Sequence, residues 1–442
     1  MHVQPQSWQN IELSLVPDAL AGHDSPWILA ARQTAFKRFS EHGFPTKREE
    51  EWKYTDVSLI SKRGSLAPDN IPPDAPSEAK LLAWALSGEG MHLMVFVNGH
   101  FDSELSTIDD LPDGVQLSSL ADILDGDANL PESLFSQQHE HTIFAALNNA
   151  FVTDGAVLNI APDTVLETPI YLLLIASGHG VAIYPRIIVM AGENSSATVI
   201  EHYMGTLDAH NFTNAITQIN VGAGAKIEHY KLIQEGPAAL HIAGVHAEQS
   251  KDSSFTSRSF VFSGRLVRND ITSSLSETGC LCTFDGLYML DDKQHVDHHT
   301  RIDHIAPCST SREYYRGILD GESRGVFNGK VIVHHGANQT DAHQTNHHLL
   351  LSKQAEIDTK PQLEIFADDV KCTHGATVGQ LSDEGLFYLR SRGLDADTAR
   401  SVLIYGFAND IINRINTPYL RKRIEHLLLD RLPQGDMVKE LL

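Results

Sequence analysis

The residues of this chain best suited to chemistry are thiols and imidazoles, and the sharpest group is Lys371-Cys372-Thr373-His374-Gly375-Ala376-Thr377. On a strand, residues two apart project from the same face, so the Cys372 thiol and His374 imidazole would emerge side by side. Thiolate and imidazole both ligate iron, and the pairing favours a transition metal over magnesium or calcium. A stable cluster usually has four ligands, so two are too few. Either other residues converge on the pair or another chain completes the site. The competing reading is a buried structural cysteine beside an ordinary histidine.

Imidazoles are abundant. There are 24, many of them crowded at His295, His298, His299 and His304 and again at His334, His335, His343, His347 and His348. A stand-alone His-rich metalloprotein is one reading of that crowding. No His-Glu-x-x-His pattern organises them, however, and spacing alone defines no site. The expectation is that they decorate solvent faces or stack in ladders between structural repeats. Cys280-x-Cys282 has the same-face spacing but no second pair at zinc-finger distance, so core packing is expected there. Cys308 carries no signal.

Nucleotide chemistry is excluded by its loops. Gly325-Val-Phe-Asn-Gly329-Lys330 is one residue short of a phosphate loop, and Val331 replaces the magnesium-binding hydroxyl. Gly222-Ala-Gly224 begins a dinucleotide pattern but lacks its third glycine.

The elements that must position Cys372 and His374 are strands. From about Asp154 to Leu381 helical periodicity vanishes, and short strand-like runs alternate with Gly, Asn, Asp and Ser turns. Gly192–Tyr203, Gly222–Leu232, Lys251–Phe262, Glu277–Tyr288 and Lys353–Ile365 resemble one another, each a polar turn with a small residue followed by a strand. They recur at intervals of roughly 30 residues with one wider gap, which suits successive coils of a β-solenoid. A sandwich would need hairpin turns, and Asn-Gly and Asp-Gly signals are sparse. The reading is therefore mainly β, with a parallel β-helix core over 154–381.

Residues 1–153 read as mostly helical. A helix runs from Ser25 to Gly43, a short one falls within Pro45–Thr55, a loop covers Ala67–Pro76, a strand Leu93–Asn98, and another helix His141–Ala150. Residues 382–442 turn helical again: Ser382 and Asp395 cap two helices, and Thr417-Pro418 opens a third. This small helical domain is expected to close one end of the solenoid.

The formal charge is −23, from 34 Lys and Arg against 57 Asp and Glu. That surface repels phosphate backbones and anionic headgroups, so neither nucleic acid nor a membrane is expected as a partner. Ile170–Ala176 is too short to span a bilayer. Met1–Asn10 shows no secretory pattern, and four cysteines make no disulfide framework, so a cytoplasmic protein is expected. A β-helix carbohydrate-active enzyme would need paired carboxylates. Asp368-Asp369 is the nearest pair, and adjacent strand residues face opposite sides.

Lys360–Gly393 (KPQLEIFADDVKCTHGATVGQLSDEGLFYLRSRG) closely resembles the signature of the SufB/SufD family, on its SufD side. Phe327–Ser352 (FNGKVIVHHGANQTDAHQTNHHLLLS) resembles the coils that precede it, and Gly43–Thr55 (GFPTKREEEWKYT) resembles the family's amino-terminal signature. The resemblance implies a right-handed parallel β-helix between helical terminal domains. It implies a non-catalytic scaffold in iron–sulfur cluster assembly, complexed with SufB and the ATPase SufC. In the family, the motif histidine lies at the SufB–SufD interface; here it is His374, with Cys372 its neighbour. An iron–sulfur cluster or iron would be held there transiently and shared with SufB, with none bound tightly by the isolated chain. The resemblance further implies SufC contacts in the carboxy-terminal helices, about Ser382 to Asp430. An unpaired solenoid edge would also let the isolated chain form a homodimer.

Overall fold

The computed structural model describes residues 20–62, 68, 90–108, 110–126, 135, 142–177, 179–206 and 210–441. Met1–Asn10 and, apart from Pro68, the Ala67–Pro76 loop lie outside these residues. The strands follow in chain order. β1 (His92–Val97), β2 (His100–Thr107) and β3 (Val115–Ser119) precede the main run. β4 (Gly155–Ile160), β5 (Ile170–Ala176), β6 (His179–Ile183), β7 (Arg186–Ala191), β8 (Ser196–Gly205) and β9 (His210–Val221) open it. β10 (Lys226–Gln234), β11 (Leu240–Gln249), β12 (Ser254–Val261), β13 (Leu266–Leu275), β14 (Leu281–Leu290) and β15 (His295–His304) continue it. β16 (Thr310–Leu319), β17 (Arg324–Val333), β18 (Thr340–Leu350), β19 (Glu356–Ile365) and β20 (Val370–Gly379) end it.

These strands form two ten-stranded sheets that take alternate segments of the chain. One runs β2-β1-β5-β8-β10-β12-β14-β16-β18-β20; the other runs β19-β17-β15-β13-β11-β9-β7-β4-β3, with β6 beside β9. Pairing is parallel except at the two outer ends, β1 with β2 and β3 with β4. The fold is a parallel β-solenoid of about eight turns with helices at both chain ends. The strand expected at Leu93–Asn98 is β1, and it pairs in parallel with β5, so the sheet reaches back into the N-terminal region.

The repeated polar turn has a backbone cause. Asp163, Asn194, Gly224, Asp252, Gly279, Cys308 and Gln339 all take left-handed φ between 54° and 78° at one corner of successive coils. Each corner leans on the next through the backbone: Asn194 N–H donates to Ala223, Gly224 to Lys251, Asp252 to Thr278 and Cys308 to Asn338, at 2.8 to 2.9 Å. Asn, Asp and Gly tolerate this conformation at least cost, so they recur. Gly224 has a second reason, because a Cβ there would lie 2.4 Å from Asn194 Oδ1 on the coil before.

Three apolar layers hold the coils. The lumen is filled by alternate residues of both sheets, among them Val199, Ile227, Phe255, Phe284, Ile219, Val245 and Ile302. The outer face of the second sheet (Phe212, Leu240, Ile242, Leu266) is covered by the helix Pro26–His42, the short 3-10 turn Glu50–Trp52 and the helix Ile143–Phe151. The outer face of the first (Ile200, Tyr230, Leu232, Phe260, Leu287, Ile318) is covered by the carboxy-terminal helices.

That last packing corrects the expectation of an end cap. The helices Ala396–Ile412 and Pro418–Leu429 lie along the sheet, burying Ile404, Ile411, Leu420 and Ile424, while β19 and β20 keep much of their surface exposed. An apolar outer face ten strands wide is a larger liability than the end of one coil, so it takes the cover. Arg316 on β16 anchors it through Asp410 at 2.5 Å, and Arg431 bonds the carbonyl of Met289 at 2.9 Å. Ser382 and Asp395 cap their helices as expected, whereas Thr417 makes no side-chain cap bond and leaves the start to Pro418.

Candidate functional site

Cys372 and His374 sit on β20, the last strand of the first sheet, which pairs with β18 and, among the described residues, with no strand beyond. Ala342 is in register with Cys372, Gln344 with His374, Asn346 with Ala376 and His348 with Val378. Ala342, Gln344, Asn346 and His348 are buried in the lumen, so Cys372 and His374 share the inner face of the final coil. The alternate pairs face outward and touch directly: Thr373 bonds His343 at 2.6 Å and Thr377 bonds His347 at 2.5 Å. Same-face stacking in this pair of strands is therefore close enough for side chains to meet.

The two candidates differ in environment. Cys372 is half-buried against Val333, Ala342, Leu363 and Val370. Burial pushes its thiol above the ordinary range, a hydrogen bond from the Ala342 backbone works against this, and the Asp341 charge adds to it. It is thus held as a thiol, unlike an activated nucleophile. His374 is exposed on the open coil and is the freer donor. Among the described residues, no group of three or more His, Cys, Asp or Glu could hold a metal ion. The chain brings Cys372 and His374 to one face, and the described residues supply no third or fourth ligand.

The crowded histidines separate by strand parity. His298, His304 and His348 are fully buried in the lumen, and burial holds them down to about 4, about 4 and about 3. His295 and His299 lie on the outer face beneath the N-terminal segment. Burial opposes a charge on His299, but Asp297 at 3.0 Å and Glu51 at 3.2 Å outweigh it and raise its pKa to about 9. Arg268 stacks 3.7 Å over the Trp52 ring and bonds the Glu51 carbonyl, which docks the Pro45–Thr55 stretch onto the second sheet. Cys280 and Cys282 are core residues, as expected. Cys308 is a left-handed corner residue, Asp368 and Asp369 lie in the bend before β20, and Gly325–Lys330 is part of β17.

Sequence reasoning missed the polar lumen. Glu201 accepts from His229 at 2.9 Å, Thr217 at 2.6 Å, Lys231 at 3.2 Å and Tyr203 at 2.8 Å, entirely buried. Desolvation would raise its pKa, but Lys231 and His229 hold it well below the carboxylate range. Glu235 accepts from Asn211 and Thr213 and pairs with His241 at 2.9 Å. Nearer the open end, Glu313 is buried among groups too weakly polar to hold its charge, and burial pushes it up to about 7 against hydrogen bonds from Thr300 and Gln344. The one available signal was polar residues at alternate positions within apolar strands, such as His229 and Lys231 between Ile227 and Ile233.

Comparison with known proteins agrees with this architecture. The family model described as SUF system FeS cluster assembly, SufBD core domain, matches residues 174–407, and that of the SufBD protein N-terminal region matches residues 15–172. The iron–sulfur cluster assembly protein SufD of Escherichia coli is 33% identical over 89% of this chain and 90% of its own. An iron–sulfur cluster assembly SufBD family protein of Synechocystis is 31% identical over 92% and 91%. A chloroplastic protein of Arabidopsis thaliana, ABCI7, is 27% identical over 86% and 80%. No helix among the described residues is long and apolar enough to cross a membrane. With a solenoid that ends in an open Cys372–His374 coil and a core match over more than half its length, the chain belongs to the SufB/SufD family of the SUF iron–sulfur cluster assembly system.

Proposed function

We propose that this chain is a non-catalytic scaffold subunit that pairs with SufB and the ATPase SufC and contributes His374, with Cys372 beside it, to the interface where nascent clusters form. The observation that carries this reading is the open last coil. β19 and β20 each present a ten-residue edge without an outer partner among the described residues, and His374 stands exposed on one of them. Long unpaired edges invite pairing with another chain, and two donors of an incomplete set invite completion by it. Iron and sulfide are cargo in this reading, held jointly with the partner and passed on. ATP chemistry would sit on SufC, consistent with the lack of a phosphate loop.

The helix Asp383–Ser391 supports the SufC contact. It has no buried residue, and Phe387 and Tyr388 are 75% and 56% exposed beside the open coil. Anaerobic affinity capture of the tagged chain from its own cells should recover SufB and SufC. The chain alone, from cells that express both, would overturn the proposal. In the reassembled complex, His374→Ala should lower cluster yield while partner binding persists, and an unchanged yield would remove His374 from the site.

A further inference from the structure

We infer that Gln344, held from below by Glu313, offers its unpaired carboxamide oxygen as the acceptor for the His374 imidazole and so decides which ring nitrogen faces the open end of the solenoid. The ladder spans three coils of one sheet. Glu313 on β16 is in register with Gln344 on β18, and Gln344 with His374 on β20. All three lie on the luminal face, where register partners stack at the strand spacing of about 4.8 Å.

Gln344 is 1% exposed and its amide is oriented by its neighbours. Nε2 donates to Glu313 Oε2 at 2.6 Å. Across the lumen, Gly329 on β17 makes room for it, since a Cβ there would lie 2.1 Å from Nε2 and 2.8 Å from the amide carbon. With the amide nitrogen committed, the carboxamide oxygen is buried and has no hydrogen-bond partner. A buried acceptor left without a donor is destabilising, and the residue stacked next along the ladder is His374. The outer pairs His343–Thr373 and His347–Thr377 bond across these same two strands.

An imidazole that donates one N–H to a fixed acceptor keeps its other nitrogen as a lone pair, the arrangement that orients histidine toward a metal. Gln344 is therefore a positioning residue, acting through His374. Its functional meaning rests on the proposed role of His374 as a donor to iron, while the ladder itself is independent of that role.

The test uses the full chain with ¹⁵N-labelled histidine, His374 being assigned by the signals lost in His374→Gln. The ring-nitrogen shifts should report a single neutral tautomer for His374. Gln344→Met, which keeps the volume and removes the acceptor, should convert it to a mixture. Gly329→Ala, which displaces the amide, should do the same. Glu313→Gln retains an acceptor for Gln344 and should preserve the parent tautomer. Circular dichroism of each variant checks the fold, and the two disrupting variants act on opposite sheets. Unchanged His374 signals in a folded Gln344→Met or Gly329→Ala chain overturn the ladder. Loss of cluster assembly in His374→Ala with that result would leave the donor role standing. A shifted tautomer with full assembly in His374→Ala would do the reverse.

Discussion

The Thr55 hydroxyl donates to the Asp297 carboxylate at 2.5 Å, joining residues 242 positions apart. Asp297 also pairs with Arg268 at 3.0 Å and His299 at 3.0 Å, and is 1% exposed. It is one of the points at which the N-terminal segment is tied to the solenoid, beside the Arg268–Trp52 and Glu51–His299 contacts. Desolvation would raise its pKa, but His299 and Arg268 hold it well below the carboxylate range. Asp297→Ala leaves Arg268 with Asp270 and His299 with Glu51 as their remaining carboxylates, and the lost buried pairing should destabilise the chain by about 3–5 kcal/mol. Thr55→Ala removes one hydrogen bond and should cost about 1 kcal/mol. Urea denaturation measures both, and limited proteolysis should cut the Pro45–Thr55 stretch first in Asp297→Ala.

Acid should loosen the lumen in a defined window. An unfolded histidine takes up its proton near 6.5, whereas burial keeps His298 and His304 neutral to about 4 and His348 to about 3. Between those values the unfolded state binds more protons, so stability falls as pH drops from about 6.5 toward about 4. Glu313 works in the opposite direction. Its folded pKa of about 7 lies above its unfolded one, so its contribution is full below about 4.5 and is lost as pH rises through about 7. One carboxyl opposes several imidazoles, and the net slope should follow the imidazoles. Urea midpoints across the window check this; a His348→Asn chain should show a shallower fall.

Tyr288 and Tyr315 set a packing limit. Gly286 is in register with Tyr315, and Tyr288 with Gly317, so large and small residues alternate across two coils. A Cβ on Gly317 would lie 2.5 Å from the Tyr288 ring, and one on Gly286 2.2 Å from the Tyr315 ring. Gly317→Ala should therefore destabilise by about 1–3 kcal/mol through overpacking. Pairing it with Tyr288→Leu should recover part of the loss in a double-mutant cycle.

Phe387 offers the cleanest separation of binding from folding. Its side chain is 75% exposed on a helix with no buried residue. Phe387→Ala should change stability by no more than about 0.5 kcal/mol. If the proposed SufC contact lies on this helix, it should weaken capture of SufC by about tenfold or more, as expected for an aromatic anchor. Equal SufC binding by the variant would move that contact elsewhere on the carboxy-terminal helices.

Much of the architecture was legible because its causes are local. The left-handed corners favour Asn, Asp or Gly, with Cys308 and Gln339 the exceptions, so most coils announce themselves as a polar turn before a strand. The shared face of Cys372 and His374 follows from the two-residue period of a strand, and the caps of Ser382 and Asp395 follow from backbone donors within one turn. None of these needs knowledge of distant residues.

What only the tertiary structure decided depends on which side of a strand becomes the lumen. Period two divides His295 and His299 from His298, yet both sides of these sheets are covered, one by other coils and one by helices. Hydrophobic patterning then loses its contrast, and a polar residue inside is indistinguishable in sequence from one outside. The lining of Glu201, Lys231 and Glu313 was hidden for that reason, as were the placement of the carboxy-terminal helices along the sheet and the rung that sets Gln344 beneath His374. The sequence determined that there would be coils, turns and a Cys372–His374 face. Long-range stacking, which pairs residues about thirty positions apart through burial and register, decided which groups meet and left the last coil open.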